Sequence, residues 1–103
     1  KIMNYINDNF SKDICLDDIA REVYLNKYYM CKKFKKYTSH TIYDYLNTTR
    51  LTVAEKQLME TNKSITQISS EVGFNNIVSF NRAFKAKNNI SPSKFRRTYN
   101  EIY

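Results

Sequence analysis

Glycine and proline occur once each in the 103 residues, tryptophan is absent, and there are one histidine and two cysteines. So little glycine and proline excludes collagen-like and low-complexity chains, and leaves scant material for the tight turns of strand-rich folds. Two cysteines cannot build a disulfide framework, so a reducing, cytoplasmic compartment is expected. With His40 alone, and with no Ser/His/Asp, paired-carboxylate or glycine-rich phosphate pattern, the chain offers no catalytic constellation, and no enzyme is expected. Cys15, Cys31 and His40 together would lack a fourth ligand and a recognised metal spacing, so neither metal nor cofactor is expected. No apolar run approaches the ~18 residues of a membrane span, and no signal peptide opens the chain. The first residue is Lys1 rather than Met, which points to a piece of a longer protein. A content of 42% hydrophobic and 26% charged residues remains, that of a helical globular domain.

The net charge of +7 is unevenly placed. Residues 1–22 hold three bases and five acids, and residues 44–71 hold three bases and four acids. Residues 23–43 hold five bases and residues 72–100 six, neither block having an acid. One basic run is usually a solvated face. Two acid-free blocks in one small chain point instead to a polyanion, and nucleic acid is the expected partner.

Each block contains one copy of a repeat. In the first, Asn26 is a good N-cap, Met30 and Phe34 form an apolar inner side, and Lys27, Tyr28, Cys31, Lys32 and Lys35 point outward. The outer face carries unopposed positive charge from Lys27, Lys32, Lys33, Lys35 and Lys36. In the second, Ser79-Phe80-Asn81-Arg82-Ala83-Phe84-Lys85 aligns with Tyr29-Met30-Cys31-Lys32-Lys33-Phe34-Lys35, apolar on apolar and base on base. The helices before them match as well: Leu16, Ile19, Ala20 and Val23 align with Ile65, Ile68, Ser69 and Val72. The turn Tyr24-Leu25-Asn26 is one residue shorter than its counterpart, which opens on Gly73-Phe74-Asn75. A short striped helix, a tight turn and a second helix with a polar outer face make a helix-turn-helix, present twice.

The remaining elements follow from caps and periodicity. Residues 2–10 read as a support helix. Cys15 is a poor cap for the next helix, though Asp17 and Asp18 suit its first turn. Thr41-x-x-Asp44 is a capping box opening a helix whose stripe, Ile42, Tyr45, Leu46, Leu51, Ala54, Leu58 and Met59, runs to about Thr61. At 1.5 Å per residue it spans ~30 Å, close to one turn of B-DNA. Ser64-x-x-Gln67 is a second capping box. Ser91-Pro92 starts a terminal helix whose Phe95 and Tyr99 pack on the second unit. The expected architecture is all-α with about seven helices: a helix-turn-helix lobe over 1–40, a linker helix over 41–61 and a second lobe over 62–103.

Over nearly its full length the sequence resembles the DNA-binding domain of the AraC/XylS family of bacterial transcription regulators. The resemblance rests on Leu16-Asp17-Asp18-Ile19-Ala20, Phe34-Lys35-Lys36-Tyr37-Thr38, Tyr45-Leu46 with Arg50 and Ala54, Ile65-x-x-Ile68, Val72-Gly73-Phe74, Ser79 to Lys85 and Ser91 to Arg96. It implies seven helices, two helix-turn-helix lobes and sequence-specific binding of double-stranded promoter DNA at an asymmetric site. It also implies an N-terminal effector or dimerisation domain outside this chain, and RNA polymerase as a further partner. Base-reading positions then fall on Tyr28, Cys31 and Lys32 in the first recognition helix, and on Val78, Ser79 and Arg82 with Asn81 in the second. Arg82 can fork onto a guanine, Lys32 can donate to one, and Val78 suits a thymine methyl. Asn26, Lys27, Lys35, Asn76 and Lys85 are placed for phosphates. Arg50 is expected to brace the linker helix rather than to touch DNA.

The chain departs from the family pattern where Ser39 and Asn89 replace glycines, where Lys33 replaces an apolar residue, and where Cys31 replaces a longer polar reader. Cys31, beside Lys32 and Lys35, is also a candidate redox switch, whose loss through Cys31→Ser would make DNA binding resistant to oxidant. The competing function is sequence-independent architectural DNA binding, with Tyr28, Tyr29, Phe80 and Phe84 as stacking platforms. Helical spacing among apolar partners favours a core role for most of them.

Overall fold

Side-chain caps set where the helices begin. In the computed structural model, which describes residues 1–102, Asn26 Oδ1 accepts from the backbone N–H groups of Tyr28 and Tyr29 at 2.9 and 3.2 Å. Asn76 Oδ1 accepts from Ser79 N–H at 2.8 Å. Each bond satisfies a donor that the first helical turn would otherwise leave open. The helices are α1 (Ile2–Asn9), α2 (Leu16–Glu22), α3 (Lys27–Thr38), α4 (Ile42–Glu60), α5 (Ile65–Glu71), α6 (Ile77–Asn88) and α7 (Pro92–Ile102). No strand occurs among the described residues, so the all-α, seven-helix expectation holds. Tyr103, the last residue of the expected 62–103 lobe, lies outside the described residues.

Two compact units form, one over Lys1–Thr49 and one from Arg50 onward, so the boundary lies within α4. In the first, Ile6, Ile19, Ala20, Met30, Phe34, Ile42 and Leu46 make the core. Phe34 meets Tyr45 edge-on, with ring centroids 6.0 Å apart. In the second, Leu51, Ala54, Leu58, Ile68, Val72, Phe80, Phe84 and Pro92 are buried. A file of rings runs through it: Phe74 to Phe80 at 5.3 Å, Phe80 to Phe84 at 5.8 Å and Phe84 to Phe95 at 5.3 Å. Burying each phenyl contributes about 1.5–3 kcal/mol, and the tilted and edge-on contacts suit the ring quadrupoles.

Several local details differ from the sequence reading. Cys15 is a better cap than expected, because the Asp18 carboxylate turns back to accept from Cys15 N–H at 3.1 Å and from its S–H at 3.2 Å. Those bonds, with Arg21 nearby, hold the Asp18 carboxyl below the usual carboxylate range. Thr41 and Asp44 form the reciprocal capping box. The Ser64 box is only half made: Ser64 Oγ accepts from Gln67 N–H, while the Gln67 side chain donates to Glu71 instead. Along α4 the buried apolar residues fall into two sets, Ile42 and Leu46, then Leu51, Ala54 and Leu58, with the buried Arg50 between them. The step of five from Leu46 to Leu51 breaks the single stripe, since a 3.6-residue period does not hold it on one face.

Both helix-turn-helix turns close identically. Tyr24 N–H donates to Arg21 O and Leu25 N–H to Ala20 O; Gly73 N–H donates to Ser70 O and Phe74 N–H to Ser69 O. This is the paired bonding of a Schellman motif, which requires a left-handed residue after the helix. Glycine supplies it in the second unit at φ 106°, whereas tyrosine supplies it in the first at φ 57°. Ser39 and Asn89 end α3 and α6 in the same left-handed region, at φ 65° and 66°.

Candidate nucleic-acid interface

The inner side of each second helix is committed to packing, which decides what the outer side can do. Met30 and Phe34 are buried in α3, and Phe80 and Phe84 in α6. Positions 28, 31, 32 and 35, three and four apart, therefore share an opposite face, as do 78, 81, 82 and 85. Tyr28 is 78% exposed and Val78 61%, so these two expected base-contacting side chains are held out to solvent by the fold. Lys32, Lys35, Ser79, Asn81, Arg82 and Lys85 are exposed as well. Lys32, Lys35, Arg82 and Lys85 form no ion pair among the described residues.

Other expected contacts are placed differently. Cys31 is half-buried against the core of the first unit, so its small side chain serves packing as much as the outer face. Lys27 is not unopposed: its ammonium lies 3.3 Å from Asp17 Oδ1, and that bonded carboxylate raises the Lys27 pKa above the ordinary lysine value. Lys33 is half-buried, with its ammonium 5.5 Å from the ring centre of Tyr29 and 5.6 Å from that of Tyr37. The aliphatic stem thus stands in for the apolar residue expected there, and the charge rests on aromatic faces. The Lys36 ammonium also lies 5.9 Å from the Tyr37 ring centre, so three of the five lysines assigned to the outer face of α3 have partners on the protein. The Asn26 and Asn76 oxygens are occupied as caps, so only their NH2 ends are left to donate to a phosphate.

The supports of the second recognition helix come from far along the chain. Arg50 is buried, with its guanidinium carbon 5.8 Å from the Phe74 ring centre, consistent with bracing α4. Glu55 accepts from Lys87 Nζ at 2.8 Å and from Asn88 Nδ2 at 3.1 Å, tying the end of α6 to α4. Arg96 donates to three carbonyls where α4 ends, those of Leu58, Thr61 and Lys63, at 3.1, 3.2 and 2.6 Å. None of these ties is visible in local spacing. Among the described residues no helix is long and apolar enough to cross a membrane, and no His, Cys, Asp and Glu cluster could hold a metal.

Two helix-turn-helix units with basic, exposed outer faces define a class of DNA-binding domain. The helix-turn-helix domain family matches residues 19–98, and the chain belongs to that family, of the AraC type. A helix-turn-helix regulator of Pseudoalteromonas carrageenovora, described as uncharacterized and lying 5′ of cgkA, is 38% identical over 94% of this chain and 57% of its own length. Regulatory protein PocR of Salmonella typhimurium is 33% identical over 98% of this chain and 33% of its own. This chain therefore spans between about a third and three-fifths of these two relatives. A crystal structure of a transcriptional regulator from Chromobacterium violaceum, with an AraC-type DNA-binding domain, superposes with a TM-score of 0.87. It is 28% identical and covers 95% of this chain and 88% of that one.

Proposed function

We propose that this chain is the DNA-binding domain of a bacterial transcription regulator that reads an asymmetric promoter site in double-stranded DNA with α3 and α6, each in its own major-groove segment. The observation that carries the reading is the duplicated outer face: in both units a capped helix holds its apolar side in the core and offers an exposed base at the same position, Lys32 and Arg82. The base readers are Tyr28, Cys31 and Lys32 in α3 and Val78, Ser79, Asn81 and Arg82 in α6, while Lys35 and Lys85 anchor phosphates with help from Asn26, Lys27 and Asn76. Residues 1–40 and 62–103 act as the two reading lobes, with 41–61 as their linker. An effector or dimerisation domain in the longer protein and RNA polymerase are the further partners, and the setting is the cytoplasm, at the nucleoid.

Selection from a pool of random duplexes of about three helical turns, at near-physiological salt, tests it. Enrichment of an asymmetric motif with two half-elements about one turn apart supports the proposal. Salt-sensitive retention without enrichment overturns it in favour of sequence-independent architectural binding.

A further inference from the structure

We propose that the first unit binds a small anion with an apolar body, of the alkyl or aryl carboxylate class, in the cavity between α2, α3 and the start of α4, and that its occupation competes with DNA. The second half of this inference rests on α3 being a DNA-reading helix; the first half does not. The cavity measures about 600 Å³, within the ~300–1,000 Å³ typical of small-molecule sites. Its apolar lining comes from Leu16, Cys31, Ile42 and the ring of Tyr43, and its cations are Lys32, Lys35 and Lys36. No acidic side chain lines it. A metal ion or an amine would find no counter-charge there, and an inorganic anion would leave the apolar lining unused. An occupant needs both parts, a body to displace water from the apolar wall and a negative head for the ammonium groups.

The second unit supplies an internal comparison. At the matching positions of the duplication, Lys32 and Lys35 are kept as Arg82 and Lys85, the bases that DNA recognition uses. Cys31, Lys36 and Tyr43 instead correspond to Asn81, Ala86 and Ser93. Leu16 and Ile42 are matched by the apolar Ile65 and Pro92, so what the first copy adds is the Cys31 and Tyr43 part of the apolar wall and a third cation, which the shared task of reading DNA does not call for. A carboxylate seated there occupies the ammonium groups of Lys32 and Lys35, which are then unavailable to DNA, so ligand and DNA oppose each other.

The test is a titration of the isotope-labelled 103-residue chain with octanoate, with octan-1-ol and acetate as comparisons, followed by backbone amide resonances. Saturable shifts with octanoate are expected at Leu16, at residues 31–36 and at Ile42 and Tyr43, and not at Ile65, residues 81–86 or Ser93. Tyr43→Ser and Lys36→Ala, which install the second unit's residues, each weaken octanoate about fivefold or more. In a separate measurement octanoate lowers the affinity for a selected duplex in the parent chain and not in Tyr43→Ser, whose DNA binding without octanoate is unchanged. Absent shifts, shifts spread equally over both units, equal shifts with octan-1-ol, or indifference to both substitutions overturns the site. Octanoate binding without any effect on the duplex overturns the competition alone. Failure to bind DNA in the absence of octanoate counts against the proposed function and leaves the octanoate site standing.

Discussion

Tyr24 and Gly73 hold the same backbone position in the two halves of the molecule, each the left-handed residue that closes the first helix of its helix-turn-helix. The hydrogen bonds are the same and the residues are not. A Cβ in this region costs roughly 1–2 kcal/mol, and the Tyr24 side chain is 90% exposed, so packing returns little of it.

Tyr24→Gly is therefore expected to stabilise the first unit by ~1 kcal/mol, the relief of the left-handed penalty less the added freedom of the unfolded chain. The midpoint of urea unfolding would rise. An unchanged or lower midpoint would mean that the exposed ring makes contacts worth as much as the strain.

The proposed roles of Arg82 as a base reader and Lys85 as a phosphate anchor can be told apart by substitution. Arg82→Ala should cost ~1–3 kcal/mol on duplexes that hold its preferred base pair and far less where that pair is changed. Lys85→Ala should weaken all duplexes alike and lower the salt dependence by about one ion. Affinities across a set of single-base variants of a selected site distinguish the two patterns, and a uniform loss from Arg82→Ala would remove it from the readers.

Arg96 joins three carbonyls at the end of α4 through one planar fork. Arg96→Leu should cost the second unit about 2 kcal/mol, since charge-assisted bonds are lost and part-buried carbonyls are left open. Arg96→Lys should recover only part of this, as a single ammonium cannot reproduce the fork. Hydrogen exchange localised to residues 58–65 reads the effect, and full rescue by lysine would show that charge alone matters.

Asp18 gives the first unit a defined acid sensitivity. Its folded carboxyl lies below the ordinary value because Cys15 donates to it, with Arg21 adding a smaller part. The unfolded chain therefore binds the proton first, and the stabilisation is fully present above the ordinary carboxylate pKa. It is lost as the pH falls through the lowered folded value, below about pH 4. Unfolding midpoints of Asp18→Asn against pH should fall less steeply in that range than those of the parent chain; parallel curves would remove Asp18 from the cause.

The elements that local rules govern were legible in the sequence. Asn26, Asn76, Thr41 and Ser91 cap as their types require, and the packed faces at Met30, Phe34, Phe80 and Phe84 follow from spacing alone. Ser39 and Asn89 stand in the left-handed region, at the positions where the family resemblance puts glycine. What stayed hidden depends on partners that the local chain does not announce. Cys15 caps through the carboxylate of Asp18, and tyrosine is no marker of a positive φ, so Tyr24 stood out only beside Gly73. Arg96 and Glu55 act across more than thirty residues of sequence. Lys27 and Lys33 are free charge in the sequence, whereas in the fold Asp17 and the rings of Tyr29 and Tyr37 lie beside them.

The file of phenyl rings in the second unit has an optical consequence. Seven of the nine tyrosines, Tyr5, Tyr24, Tyr28, Tyr29, Tyr37, Tyr43 and Tyr45, belong to the first unit, and there is no tryptophan to mask them. Tyrosine emission is therefore an almost private reporter of the first unit, while far-ultraviolet ellipticity counts the helices of both. On heating, coincident curves would mean that α4 couples the two halves into one cooperative transition. Separated curves would mean that one unit can melt while the other stays folded.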